Sequence, residues 1–189
     1  MDTNAFTAGI EHGGLTTSAE VRMLICWLLD CVKQPVQMSV LNRALQLDGL
    51  VNYFELAHGV ADLLSTGHIV ETMHDSGHEP PLALTDLGRR TARTFEKKIP
   101  LNVREKSLPA LREILRLEKN ERENSVKIEK QETGWRLSLQ IADVKSDLLT
   151  LSLYVPTEDM CISMRDRFLS DPARLYTTVV DYLNGKKPG

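Results

Sequence analysis

The sequence predicts an α+β chain: helices and a short β-hairpin first, then a long helix, then a C-terminal antiparallel sheet covered by helices. Three observations support this class. In the first third of the chain, apolar residues recur at the three- and four-residue spacing of amphipathic helices. Glycine and proline then punctuate two short apolar runs. In the last third, apolar and polar residues alternate strictly over three successive runs, as in strands with one buried face.

The first helix is predicted from Thr17 to Val32. Thr17 or Ser18 caps its start, and the segment Lys33-Gln34-Pro35 ends it, because proline disfavours helix in the residue before it. Its expected buried face consists of Val21, Leu24, Ile25, Leu28, Leu29 and Val32.

Two more helices follow. A short one starts near Ser39 and buries Leu41, Ala44 and Leu45, after which Asp48-Gly49 turns the chain. Asn52 caps the next helix, from Tyr53 to Thr66. The residues of this third helix expected to face inward are Phe54, Ala57, Val60, Ala61 and Leu64, and those expected to face outward are Glu55, His58, Asp62 and Ser65.

The segment from Leu63 to Arg93 predicts a hairpin between two helices. Gly67 ends the third helix in the left-handed conformation. A strand through Ile69, Val70 and Thr72 is reversed by Asp75-Ser76-Gly77 and Pro80-Pro81, and Leu82 to Leu84 returns. Thr85 then caps a basic helix that continues to Ile99.

The run Leu84-Thr85-x-x-Gly88-Arg89 resembles the junction after the wing in bacterial winged helix-turn-helix regulators of the MarR and PadR types. The whole chain is also similar to a bacterial family catalogued as a domain of unknown function, and Ala5 to Ile10 with Gly13-Gly14-Leu15 contributes to this similarity. The first resemblance implies a winged helix and a DNA-binding transcriptional regulator. The second implies no particular activity.

Three parts are predicted: a winged-helix domain with an N-terminal extension over residues 1–99, a linker or dimerisation helix over 100–123, and an α+β domain over 124–189. Pro100 interrupts the basic helix, and Pro109 is expected to begin the regular part of the linker helix. The apolar stripe of that helix is Leu108, Leu111, Ile114, Leu115 and Leu117. The stripe either packs on its own domain or forms a seam with a second copy.

The last part predicts a three-stranded antiparallel sheet. Its alternating runs contain Val126 and Ile128, then Trp135 to Ile141, then Leu149 to Val155. Two helices are available to cover the buried face. They are Glu158 to Leu169, capped by Thr157 and bearing Met160, Cys161, Met164 and Phe168, and Ala173 to Leu183, with Leu175, Tyr176, Val179, Val180 and Leu183 on its inner side.

Composition narrows the function classes. The longest unbroken apolar run, Met23 to Leu29, is seven residues, whereas a membrane-spanning helix needs roughly 18. No signal peptide is recognised, so a cytoplasmic location is expected. The three cysteines, Cys26, Cys31 and Cys161, lack metal or redox spacing and are expected to be free and structural. No catalytic group, cofactor or metal site is predicted, and we do not expect an enzyme.

Charge complicates the DNA-binding interpretation. The first 98 residues contain eight Lys and Arg against twelve Asp and Glu, a net charge of −4, although phosphate neutralisation supplies most non-specific affinity for DNA. The residues expected to contact DNA are Asn42, Arg43, Asn52, Tyr53, His58, His74, His78 and Arg89. The alternative for the run Arg89, Arg90 and Arg93 is a solvated helix face paired with nearby acids.

Two functions therefore stay open. One is a homodimeric regulator that binds double-stranded DNA, whose C-terminal domain senses a small-molecule effector or completes the dimer. The other is a winged-helix module that binds proteins and has lost its DNA contacts. In a DNA-binding dimer, basic residues should converge on one face, with the two third helices ~34 Å apart.

Overall fold

A computed structural model describes residues 15, 17–46, 49–72, 79–142 and 146–186. The chain forms two compact units, Met1–Leu115 and Arg116–Gly189, and each has its own hydrophobic core. Within the described residues, seven α-helices, a two-stranded sheet and a three-stranded antiparallel sheet confirm the predicted α+β class. None of the described helices is both long and apolar enough to span a membrane.

The elements follow the predicted order. The N-terminal unit contains α1 (Ser18–Val32), α2 (Met38–Gln46), α3 (Tyr53–Ser65), β1 (Ile69–Glu71), β2 (Leu82–Leu84), α4 (Asp86–Phe95), a 3₁₀ turn (Glu96–Lys98) and most of α5 (Leu101–Glu123). The C-terminal unit contains the end of α5, then β3 (Asn124–Lys130), β4 (Trp135–Ala142), β5 (Asp147–Val155), α6 (Glu158–Ser170) and α7 (Pro172–Leu183).

Three predicted helix caps are confirmed. The Thr17 hydroxyl accepts a hydrogen bond from the amide of Glu20 at 3.3 Å, and the Asn52 side chain accepts one from Phe54 at 2.7 Å. The Thr85 hydroxyl accepts from the Gly88 amide at 3.2 Å. Each cap satisfies a backbone donor that the first helical turn leaves without a partner. These helix starts are therefore set by residues local in sequence.

Helix α1 is the centre of the N-terminal core and packs against both α3 and α4. Its predicted face is buried except for Val32, which is half-buried. The hairpin pairs antiparallel, with Ile69 opposite Leu84. One additional pairing was not predicted: Val36, between α1 and α2, exchanges backbone hydrogen bonds of 3.0 and 2.9 Å with Leu82. The α1–α2 connection is thereby joined to the hairpin.

The predicted inner face of α3 is confirmed at Val60 and Leu64 and wrong at Phe54 and Ala61. Phe54 is 75% exposed and Ala61 is exposed, whereas the buried residues are Leu56, Gly59, Val60 and Leu63. Gly59 lies against α1, where a β-carbon would lie 3.2 Å from Ile25 Cδ1, a tight contact that the Ile25 side chain would have to relieve. The small residue therefore favours a close approach of α1 and α3. The stripe that includes Gly59 is therefore the one that faces the core.

The predictions for α5 were right in extent and wrong at Pro109. The helix runs from Leu101 to Glu123 as predicted, but Pro109 lies inside it and does not begin it. Leu111 and Ile114 are buried in the N-terminal core, and Leu108 and Leu115 pack against that core. These residues therefore pack on their own domain, which is the first of the two alternatives for the apolar stripe.

The C-terminal unit is a meander of order β3-β4-β5. Its buried face centres on Leu137, Leu139 and Ile141 of β4, with Val155, and is covered by Cys161, Phe168 and Leu169 of α6. Other residues expected to cover the sheet are largely exposed, namely Met160, Met164, Val180 and Leu183. Helix α7 starts at Pro172, which is its one buried residue among those described. It therefore covers the sheet less completely than the sequence predicts.

Candidate interface on helix α3

The outward face of α3 consists of Phe54, His58, Ala61 and Ser65, all of them exposed. These four positions recur at the spacing of one helix face, opposite the buried stripe through Leu56 and Val60. Every residue of α3 lies within the described part of the chain, and this face carries neither a carboxylate nor an ammonium or guanidinium group. The face is therefore neutral unless His58 is protonated.

The two acidic residues of α3, predicted to face outward, lie instead on its flank beside α1. The Ser18 hydroxyl donates a hydrogen bond of 2.9 Å to Glu55. Arg22 forms a hydrogen-bonded ion pair with Asp62, and both side chains are about one-third exposed. Glu55 and Asp62 are thus half-buried and not fully exposed as predicted. Arg22 offsets the charge of Asp62, whereas Glu55 keeps its charge because its partner is a neutral hydroxyl.

Two candidate contact residues lie at the amino end of α3. Asn52 uses its side-chain oxygen for the cap, so that atom serves the helix. The Tyr53 ring is half-exposed and lies edge-on to Phe54, with ring centroids 5.8 Å apart. His58 lies one turn further along, its Nε2 atom 3.7 Å from Asp62 Oδ2. Tyr53 and His58 thus border or occupy the exposed face.

Asn42 and Arg43 lie on α2, the helix before α3. Arg43 is exposed, whereas the side-chain oxygen of Asn42 is buried and has no hydrogen-bond partner in the described part of the chain. The amino end of α2 is held by the returning arm of the hairpin, because Glu79 Oε2 accepts from the Ser39 amide at 3.1 Å. His74 and His78 lie outside the described residues.

Arg89 lies away from the α3 face. Its guanidinium donates to Asp86 at 2.7 Å and to the Leu84 carbonyl at 3.2 Å. The hydrogen bond and charge of Arg89 lower the pKa of the Asp86 carboxyl. Arg93 pairs with Asp30 of α1 at 3.6 Å, and both arginines line a groove of about 420 Å³ at the carboxyl end of α1. For these two residues, the alternative of pairing with nearby acids is observed.

Phe54 is the largest exposed residue of the outward face of α3, although its aromatic side chain predicts an inward position. The alternative stripe of Leu56, Val60 and Leu63 has the same helical spacing and is more aliphatic. The small residue Gly59 within that stripe is the sequence signal that could have indicated the buried face.

Among the described residues, no group of three or more His, Cys, Asp or Glu is arranged to hold a metal ion.

Comparison with known proteins yields one family. No curated protein and no solved structure matches the chain. A family model described as a domain of unknown function, DUF4364, matches residues 21–183. This range includes most of both compact units. The chain therefore belongs to the DUF4364 family.

Proposed function

We propose that the N-terminal unit is a winged helix and that the protein is a transcriptional regulator that binds double-stranded DNA through the outward face of α3. The observation that carries this proposal is the side of α3 on which its two acidic residues lie. Glu55 and Asp62 bond to α1, and the four exposed positions of the outward face carry no carboxylate of their own, although Asp62 Oδ2 lies 3.7 Å from His58. Phosphates would otherwise be repelled from the helix that enters the groove.

The order of elements supports the winged-helix assignment. Helices α2 and α3 follow one another as in a helix-turn-helix, and the β1–β2 hairpin comes directly after α3. The Val36–Leu82 bridge and the Glu79 contact with α2 hold the hairpin against the first two helices. In such a domain, α3 is the helix offered to the major groove, and the hairpin reaches the neighbouring backbone.

The side chains of the outward face suit base edges better than phosphates. Alanine and phenylalanine make apolar contacts with the thymine methyl group, and serine and histidine hydrogen-bond to base edges. Phosphate contacts would come from Arg43, from the amino end of α3 and from the hairpin histidines His74 and His78. Because the first 98 residues carry a net charge of −4, we expect weak non-specific binding.

Selection of genomic fragments with purified protein, at low and at physiological salt, tests this proposal. We expect one family of sequences to be enriched, with affinity decreasing as salt increases. Ala61→Asp places a carboxylate on the outward face and should abolish enrichment. Thr94→Asp is the matched control, because Thr94 is exposed on α4. No enrichment at either salt concentration, or equal enrichment by Ala61→Asp, would overturn the proposal.

A second candidate is a protein-interaction module, and one observation favours it. Phe54 and Tyr53 are 75% and 48% exposed and touch each other on the same end of α3. Exposed aromatic residues are typical anchors of protein interfaces. On this alternative, Phe54→Ala removes a partner protein that stays bound at high salt, and no DNA sequence is enriched. The salt dependence separates the two functions.

The C-terminal unit completes the proposal. We propose that it supports a homodimer and holds the small-molecule effector. A groove of about 900 Å³ lies among the sheet, α6 and α7, with Leu139, Leu151 and Phe168 in its lining. Such apolar grooves with a few polar groups are where small ligands bind. Thermal-shift screening of metabolites against the full chain tests this site, and a shift lost in Thr178→Trp, which places a large side chain in the groove, supports it.

A further inference from the structure

Strand β5 is an edge strand that lacks the usual protection of sheet edges. It lies at one end of the order β3-β4-β5, and no strand in the described part of the chain pairs with its outer side. From Leu148 to Val155 it has no charged residue and no proline. The opposite edge, β3, carries Lys127, Glu129 and Lys130, with Lys127 and Glu129 paired at 2.8 Å. Charges of this kind block edge-to-edge pairing, and β5 lacks them.

The sequence of β5 is self-complementary around Leu151. Reading outward from that residue in both directions gives a hydroxyl residue, then a leucine: Thr150 and Ser152, then Leu149 and Leu153. In an antiparallel pair of identical strands centred on Leu151, each hydroxyl residue therefore meets the other, and each leucine meets a leucine. This is the condition for an interface with twofold symmetry, in which residue i contacts j and j contacts i.

The partial burial of the β5 leucines is consistent with an interface formed by this strand. Leu149, Leu151 and Leu153 are on the apolar face of the sheet but only half-buried, whereas the central-strand residues Leu137 and Leu139 are fully buried. Thr150 and Ser152 are exposed on the other face. A bulge at the Asp147 end of β5 limits the regular pairing, and the exposed ring of Tyr154 flanks its other end. The regular segment is thus the self-complementary one.

We propose that two copies of this chain associate through antiparallel pairing of their β5 strands, centred on Leu151, to form one continuous six-stranded sheet. The pairing satisfies the outward backbone N–H and C=O groups of both strands. It also brings the half-buried leucines of each copy against those of the other. The occupant of this edge is a second copy, because the order of leucine and hydroxyl side chains about Leu151 reads the same in both directions and the strand carries no charge from Leu148 to Val155 that would oppose self-pairing.

Introducing charges at the two exposed positions Thr150 and Ser152 tests the register of the proposed β5 pairing. Thr150→Lys with Ser152→Lys places lysines opposite lysines across the proposed twofold axis, and Thr150→Glu with Ser152→Glu does the same with glutamates. Within their own sheet these positions face the neutral residues Gln140 and Ser138. In the described part of the chain, the substitutions remove only the 3.5 Å contact between the Ser138 and Ser152 hydroxyls, so we expect the fold to stay intact. The matched control for charge is a separate double variant of the wild type, Ser125→Lys with Gln131→Lys, which adds two lysines on or just after β3.

Sedimentation velocity and light scattering measure the result, with circular dichroism as the check on folding. We expect the wild type and the control to be dimers and each β5 double variant to have half that mass. An equimolar mixture of the lysine and glutamate variants should return to the dimer mass, because every opposed pair is then of opposite charge. A monomeric wild type, dimeric β5 variants, or a mixture of folded variants that stays monomeric would overturn the proposal. The DNA-binding proposal is tested separately, so either can fail alone.

Discussion

A β-carbon on Gly88 would lie 2.2 Å from the carbonyl oxygen of His68. The same oxygen accepts hydrogen bonds from the Thr85 amide at 3.0 Å and the Thr85 hydroxyl at 2.9 Å. Thr85 and Gly88 therefore act together. The hydrogen bonds of Thr85 join the start of α4 to the turn before β1, and the missing side chain of Gly88 leaves room for the His68 carbonyl.

Gly88→Ala should destabilise the N-terminal unit by about 1–3 kcal/mol, because the obstacle is a backbone oxygen that cannot rotate away. Urea unfolding monitored by circular dichroism measures the change. Arg90→Ala, an exposed position on the same helix, is the control and should change stability by less than about 0.5 kcal/mol. Equal stability of Gly88→Ala and wild type would show that α4 does not approach His68 this closely.

The Arg22–Asp62 pair should contribute a small coupling energy. Because the two side chains are 38% and 31% exposed, we expect about 0.5–1 kcal/mol from a double-mutant cycle of Arg22→Met and Asp62→Asn. High salt should weaken this coupling, since partly exposed pairs are screened. A coupling of zero at low salt would mean that Asp62 is not held by Arg22, and the outward face of α3 would then be more acidic than described.

Ser107→Ala should leave the protein as stable as wild type or more stable by up to about 1 kcal/mol. Ser107 is fully buried inside α5, and its hydroxyl has no hydrogen-bond partner among the described residues. Removing an unsatisfied buried polar group recovers its desolvation cost, and alanine favours helix over serine. Ser18→Ala is the comparison, because the Ser18 hydroxyl is bonded to Glu55. A clear loss of stability in Ser107→Ala would reveal a partner for this hydroxyl.

Cys26 and Cys31 should react slowly with thiol reagents in the native state, and in a defined order. Burial raises the pKa of Cys26 to about 12. Burial, followed by the charges of Asp30 and Glu96, raises the pKa of Cys31 above its usual 9.0. Only the thiolate is nucleophilic, so labelling should accelerate as pH rises past 9 and should modify the half-buried Cys31 before Cys26. Mass spectrometry of alkylated peptides measures the order, with Cys31→Ser as the control; faster labelling of Cys26 would contradict this burial.

Much of the fold could be predicted because its signals are local. The caps at Thr17, Asn52 and Thr85 act on amides two or three residues away. The positive φ of Gly67, 71°, follows from the turn that ends α3. The alternation of β4 requires only that one face of the sheet be buried. Pro109 is an exception, since it lies inside α5 although proline favours the first turn of a helix.

The sequence by itself determined the order of elements, their approximate ends and the acidic balance of the N-terminal part. Tertiary structure alone decided which face of α3 is exposed. Two stripes of that helix have helical spacing, and the one through Leu56, Val60 and Leu63 packs in the N-terminal core, with Gly59 against α1. The same packing brings Ser18 and Arg22 to Glu55 and Asp62, which are 37 and 40 residues away in sequence. Contacts at such separations depend on how whole helices pack, and no local pattern encodes them.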